Sequence, residues 1–344
     1  IYSTNGTLVA TLSSCPWVTG ELFEMDMTQS GDTMIITHQD FVPQVIQRTG
    51  STSFTRAAFG FETSVNDKQI FQPYFKFADD DITLDISTST AGTGVTCTTS
   101  ASYFTSGYVG MVIRYHGTEL TITAYTSATQ VTATLKDDVS IELDDDPFAT
   151  QQGSGVVKVT HVEHGFSNGA SITLSGSEDI FDTDGNGLAA SNINGTRTIT
   201  VLDNNHYEFT AGGSDTANES VDGGGVRVTI SGHPPTRQWD EQVFSQVNGF
   251  PQTVTFHEQR LFFGGVLALP DGVQDADSVQ IQIGSDQINE IRHLVSGRRL
   301  QILTSTSEFF MKPEVSKPIT PTNIQIIRQS TLGSQLKAKP RIFD

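Results

Sequence analysis

Cysteine is nearly missing from this 344-residue chain: Cys15 and Cys97 are its only two. Two thiols do not make a disulfide framework, so the fold must rest on a buried core. The length supports that, with about two domains on a prior of roughly 150 residues each, and such a chain needs no staple or metal to fold. Long hydrophobic runs are also missing. No apolar stretch approaches the ~18 residues of a membrane-spanning helix, so no integral membrane segment is expected. No basic-then-apolar leader opens the chain, which starts Ile-Tyr-Ser without Met. It reads as a fragment of a longer protein, because its end, Lys339 to Asp344, resembles the start of another strand.

Positive charge is scarce too. Twenty basic residues face 39 acidic ones, for a net charge of −19. The imbalance is local. Residues 1–152 carry −12, residues 153–230 carry −7, and residues 231–344 are neutral. An acidic surface repels phosphate and disfavours tight nucleic-acid binding. It suits solubility, cation binding, or a wall along which DNA slides without adhering.

What is abundant points to strands. There are 44 Thr against 8 Lys, and Thr is β-branched whereas Lys favours helices. Alternating or β-rich stretches include Thr33–His38, Phe71–Phe77, Ile82–Ile86, Val109–Tyr115, Thr121–Tyr125 and Val131–Leu135. Ser285–Leu294 has a weak helical spacing but reads better as a strand entering a turn at Ser296-Gly297. Two segments look like small β modules, 95–152 and 153–230. Gln151–Gly155 and Ser231–Pro235 serve as joints around the second. The sequence thus predicts an all-β protein in four segments: 1–94, 95–152, 153–230 and 231–344.

Constellations with chemical potential are few. Asp182, Asp184 and Asn186, followed by Gly187, match the first half of a calcium loop, D-x-D-x-N-G. The twelfth position is Ile193 instead of Glu, so an acidic surface turn is the competing reading. His161-Val162-Glu163-His164 would share a helical face, but its flanks predict a strand and a turn that split the two imidazoles. Asp79, Asp80 and Asp81, and Asp144, Asp145 and Asp146, form two acidic runs. Adjacent carboxylates on turns read as solvated or cation-facing surfaces rather than a glycosidase pair. No G-x-S-x-G, P-loop or dinucleotide-binding glycine pattern is present, and no spacing selects a Ser-His-Asp triad. No enzyme activity and no cofactor are expected, calcium being the one candidate ion.

The most informative stretch runs from Trp239 to Gly265. It contains Asn248-Gly249-Phe250-Pro251, then Thr253–Phe256, a polar bend, Arg260–Phe263 and Gly264-Gly265. Arg260 among aromatic residues invites stacking or carboxylate bracing. The plainer reading makes His257 and Arg260 framework groups between adjacent strands.

This stretch resembles the signature of tail nozzle proteins of short-tailed bacteriophages, also called tail tubular protein B. The matching residues are Trp239, Phe256, His257, Arg260, Gly264 and Gly265. Met27–Gly50, Ile288–Met311 and Thr331–Gln335 fit the same family in the same order. Segment 153–230 is similar to phage modules likened to the first catalytic cysteine half-domain of ubiquitin-activating enzymes. It holds no cysteine. The stretch from Gly265 to Asp286 is shorter and more polar than the family's.

The resemblance implies a propeller-like β domain with one or two inserted small β-barrel or sandwich modules. It implies a homohexameric ring at the tail tip of the virion, made in the host bacterial cytoplasm. Such a ring contacts a tail adaptor protein and tail fibres, and gates the channel for genome ejection. Double-stranded DNA passes through without sequence-specific binding, and the two Asp runs are the candidate lumen-facing acids. The competing expectation is a glycan-binding or calcium-stabilised tail adhesin.

Overall fold

A computed structural model of the chain describes residues 1–60, 74–76, 82–181, 187–213, 217, 221–265, 290–313 and 324–341. It is all-β. The described residues contain a single α-helical turn, Ala190–Ile193, and two 3-10 turns. None of their helices is long and apolar enough to cross a membrane. The chain forms two compact units. One takes residues 1–76 and 242–344, and the other takes residues 77–241.

The first unit contains two four-stranded antiparallel meanders. Asp26–Ser30, Thr33–His38, Phe41–Arg48 and Phe54–Ala58 form one. Ile291–Ser296, Leu300–Thr304, Glu308–Pro313 and Ile324–Ser330 form the other. This sequential strand order is the one a propeller blade uses. Each meander buries its own small core. Met25, Ile36 and Phe41 fill the first, and Leu294, Leu300, Ile302, Phe309 and Met311 the second. Of the stretch Ser285–Leu294, residues 285–289 lie outside the described residues; the described part enters the strand Ile291–Ser296, and a bend at 297–299 closes the pair Ser296↔Leu300.

Between these meanders in sequence lies a hairpin, Thr253–His257 paired with Arg260–Gly264. Its two turn residues, Glu258 and Gln259, both take left-handed backbone, φ 45° and 64°. That is the type I′ geometry whose twist matches paired strands, and it favours Asn-Gly over two side-chain-bearing residues. Replacing Glu258-Gln259 with Asn-Gly should therefore stabilise the first unit by about 1 kcal/mol. The urea midpoint should rise, and an unchanged or lower midpoint would contradict the turn assignment.

The second unit is larger and has one continuous core. Its first sheet runs in the order Trp239–Gln242, Val112–Tyr115, Thr118–Ser127, Gln130–Leu135, Gly92–Thr99, Leu84–Ile86. The inward set is period-2: Val131, Ala133 and Leu135 are buried while Gln130, Thr132 and Thr134 are not. Two further sheets follow. One joins Ile141–Glu142, Thr229–Ser231, Ser171–Ser175 and Gly195–Thr198. The other joins Thr200–Asp203, His206–Thr210, Val156–Thr160, Phe148–Thr150 and Asp222–Gly223.

The expected segment boundaries do not coincide with these sheets. Strand Gly92–Thr99 runs through the boundary at 94/95. Strands Ile141–Glu142 and Phe148–Thr150 precede 153 but pair with strands of the following segment. Gln151–Gly155 is the turn of a hairpin, Phe148–Thr150 against Val156–Thr160, and not a joint. The hydrophobic core passes without a break from Ile82 through Phe148 and Tyr207 to Trp239.

Candidate functional site

The signature residues of the first unit meet around the hairpin. Thr253 is fully buried, and its hydroxyl donates to the Asp26 carboxylate. The same oxygen accepts the Leu294 N–H at 3.1 Å. Thr37 Oγ1 donates to the Gln252 carbonyl at 3.2 Å, and Gln252 Nε2 donates to the Glu24 carbonyl at 2.7 Å. His257 is buried, and its Nδ1 lies 3.0 Å from Ser296 Oγ. Burial lowers its pKa, against a smaller opposing pull from Glu258. Arg292 Nη1 and His293 Nε2 reach the carbonyls of Ser334 and Gln335 at 2.7 and 2.9 Å. Thus Thr37, the Gln252-Thr253 segment, Leu294 and the carbonyls of Ser334 and Gln335 are linked by buried and half-buried polar contacts, in which Glu24 and Asp26 take part.

Phe256 is half-buried on its strand. Arg260 is exposed beside the turn, and no described residue meets its guanidinium. Its pairing with His257 is a backbone one. Gly264 and Gly265 matter for packing. A Cβ on Gly265 would stand 2.7 Å from Gln252 Cβ and 3.0 Å from the Ile291 carbonyl, at φ 90°. Gly265→Ala should cost about 2–3 kcal/mol, from left-handed strain plus overpacking. Thermal unfolding of the variant checks this, and a shift under about 1 °C would contradict it. Trp239 belongs to the second unit, where it is buried and its indole N–H donates to the Ile82 carbonyl at 3.1 Å.

The candidate acids separate. Asp144, Asp145 and Asp146 are exposed. Asp146 also shapes the backbone: at φ 49°, its Oδ1 accepts the Gly225 N–H at 2.9 Å. Asp79, Asp80 and Asp81 lie outside the described residues, as do Asp182, Asp184 and Asn186 of the calcium half-motif and most of the 265–286 stretch.

The two imidazoles of 161–164 are not split as the sequence predicts. Glu163 at φ 51° turns the chain back, and the His161 and His164 rings come to 6.1 Å between centroids. Even so, they do not form a metal pair. His164 Nδ1 accepts the Phe166 N–H at 2.9 Å, and its Nε2 meets the Asp203 carbonyl at 2.9 Å. Both of its nitrogens are engaged. His161 is pushed down to a pKa of about 4 by burial, then by the charges of His164 and His116. His116 falls to about 4 through burial, opposed by its contact with Gln238. His161 Nδ1, His116 Nε2 and the Tyr207 hydroxyl are buried with no hydrogen-bond partner among the described residues.

One constellation went unread in the sequence. Glu21, His38 and Asp40 offer ligand atoms that lie within 4.8 Å of one another. His38 closes the hairpin Thr33–His38/Phe41–Arg48 and is fully buried, stacked on Phe41 with centroids 5.1 Å apart. Its Nδ1 faces Asp40 Oδ2 and its Nε2 faces Glu24 Oε2, each at 3.7 Å. Only the His38-Gln39-Asp40 pair is local in sequence, and it is too common a pattern to single out.

No known family model matches the sequence, and no curated protein matches it either. Among solved structures, the Phage phi92 endosialidase gives a TM-score of 0.22 at 10% identity, over 89% of this chain and 56% of that one. The chain thus spans 56% of that protein's length, and a likeness so low carries no argument about fold or activity.

Proposed function

We propose that this chain is a structural subunit of a short-tailed phage's tail nozzle. In this reading it forms a homohexameric ring that extends the DNA channel and gates genome ejection. The observation that carries the reading is the knot at Thr253. Four stretches with nozzle-like sequence lie far apart along the chain. Apart from Trp239, which belongs to the second unit, parts of all four are linked within the first unit through Thr253, Gln252, Arg292 and His293. A signature whose parts support one another structurally is harder to produce by accident than four isolated likenesses. The acidic balance of residues 1–230 adds to it. Double-stranded DNA moving past carboxylates releases no counterions to them and gains no anchoring contact. An adaptor above the ring and fibres at its side are the expected neighbours.

Light scattering of the purified chain tests the assembly. A particle of six copies is expected. A persistent monomer that binds glycans would instead favour a tail adhesin and contradict the ring.

A further inference from the structure

We propose that the outer face of the second meander, with Arg298 and Arg299 at its end, docks on the acidic loop 143–146 of a second copy of this chain. The inference rests on the ring reading above and names the surfaces that join its subunits. It starts from the two faces of one sheet. Residues directly opposite each other on antiparallel strands share a face. Leu294, Ile302 and Phe309 are so aligned and belong to the buried core. The other face carries the row Val295, Gln301, Phe310 and Ile327. An antiparallel sheet with one face on its core is expected to turn polar residues outward. Here three of the four outward residues are apolar, and all four are only half-buried.

The end of this face is basic and hollow. Val295, Gly297, Arg298, Arg299 and Gln301 line an open hollow of about 410 Å³. Arg299 lies over the Phe310 ring, 4.6 Å from its centroid, which holds the guanidinium in place. Neither Arg298 nor Arg299 has a carboxylate partner among the described residues. Arginine and aromatic side chains around an apolar strip are the composition of protein interfaces, where lysine is depleted.

Charge selects the occupant. The chain carries 39 acidic residues against 20 basic ones, so another copy offers mainly carboxylates to an arginine pair. Glu142, Asp144 and Asp145 stand exposed between strands Ile141–Glu142 and Phe148–Thr150, with no basic partner among the described residues. Two different patches meeting on successive copies make a heterologous contact, the kind that closes rings. In this arrangement Asp144 and Asp145 sit at the joint between subunits, and other acids of residues 1–230 supply the charge of the lumen.

Reversing each side separately tests the contact, by light scattering of the full chain. R298E/R299E and D144K/D145K both change exposed side chains, and Asp146 is spared because it holds the Gly225 N–H. Each variant alone should need a more than about tenfold higher concentration than the parent to assemble, since like charges then face each other. An equimolar mixture should recover the parent's particle, with the two variants alternating around an even-numbered ring. Loss of folding cannot produce that recovery. Parent-like assembly of either variant alone, or no recovery in the mixture, overturns the contact while the ring stands. Weaker retention of R298E/R299E on DNA with unchanged assembly assigns the arginines to phosphate and also overturns it. A parent chain that stays monomeric removes the ring itself, and this contact with it.

Discussion

Trp239→Ala should destabilise the second unit by about 3–5 kcal/mol, the range for deleting a large buried aromatic. Trp239 is 1% exposed and is among the largest fully buried side chains. It meets Tyr103 edge-on at 5.0 Å and donates to the Ile82 carbonyl at 3.1 Å. Its removal therefore leaves a cavity and an orphaned acceptor at once. A typical domain has only about 5–15 kcal/mol of stability in total, so the variant unit should melt far below the parent. Trp239→Phe separates the two effects. It keeps an aromatic ring and removes the donor, and about 1–3 kcal/mol should be lost. Near-ultraviolet circular dichroism against temperature reads both. A loss below about 1 kcal/mol for Trp239→Ala would mean that the core closes without this ring.

Acid should loosen the same unit through His116 and His161. Both imidazoles have folded pKa values of about 4, below the ordinary 6.5. The sign follows from proton binding. At pH 7 both are neutral in either state, and their contribution is fully present. As pH falls through 6.5, the unfolded chain takes up protons that the folded chain refuses. Stability then drops until about pH 4, where the folded imidazoles also titrate. The loss is at most about 3 kcal/mol from each ring, since one pKa unit is worth 1.36 kcal/mol. The rings are not independent, because each adds positive charge near the other and near His164. Urea unfolding at pH 7, 5.5 and 4 should show the decline. His116→Asn and His161→Gln should flatten it in that window. An equally steep decline in the double variant would assign the acid sensitivity to carboxylates instead.

Much of this fold is legible in the chain, and the failures share a cause. Thr33–His38 is read to the residue, because a short β-branched run ends at an unambiguous turn. The alternating run from Asn194 to Val201 is unbroken in sequence, yet the chain divides it into Gly195–Thr198 and Thr200–Asp203 in different sheets. Ile199, buried between them, marks the corner where the backbone passes from one layer to the other. Nothing in an unbroken Thr-Ile-Thr-Val pattern announces a corner. The joint at Gln151–Gly155 fails for a similar reason, since Gly and Ser serve hairpin turns and linkers alike. Sites suffer more than strands. His161 and His164 meet because Glu163 takes left-handed backbone. Glu21 reaches His38 only through tertiary packing, which leaves no local spacing to read.

The central claim is that this chain lines a conduit, and a density map of the assembled tail tests it most directly. The account predicts six copies coaxial with the channel at the distal end, with carboxylates from residues 1–230 facing the lumen. A basic lumen would contradict the reading of the charge. Copies placed off the axis, as fibres or spikes, would contradict the nozzle itself.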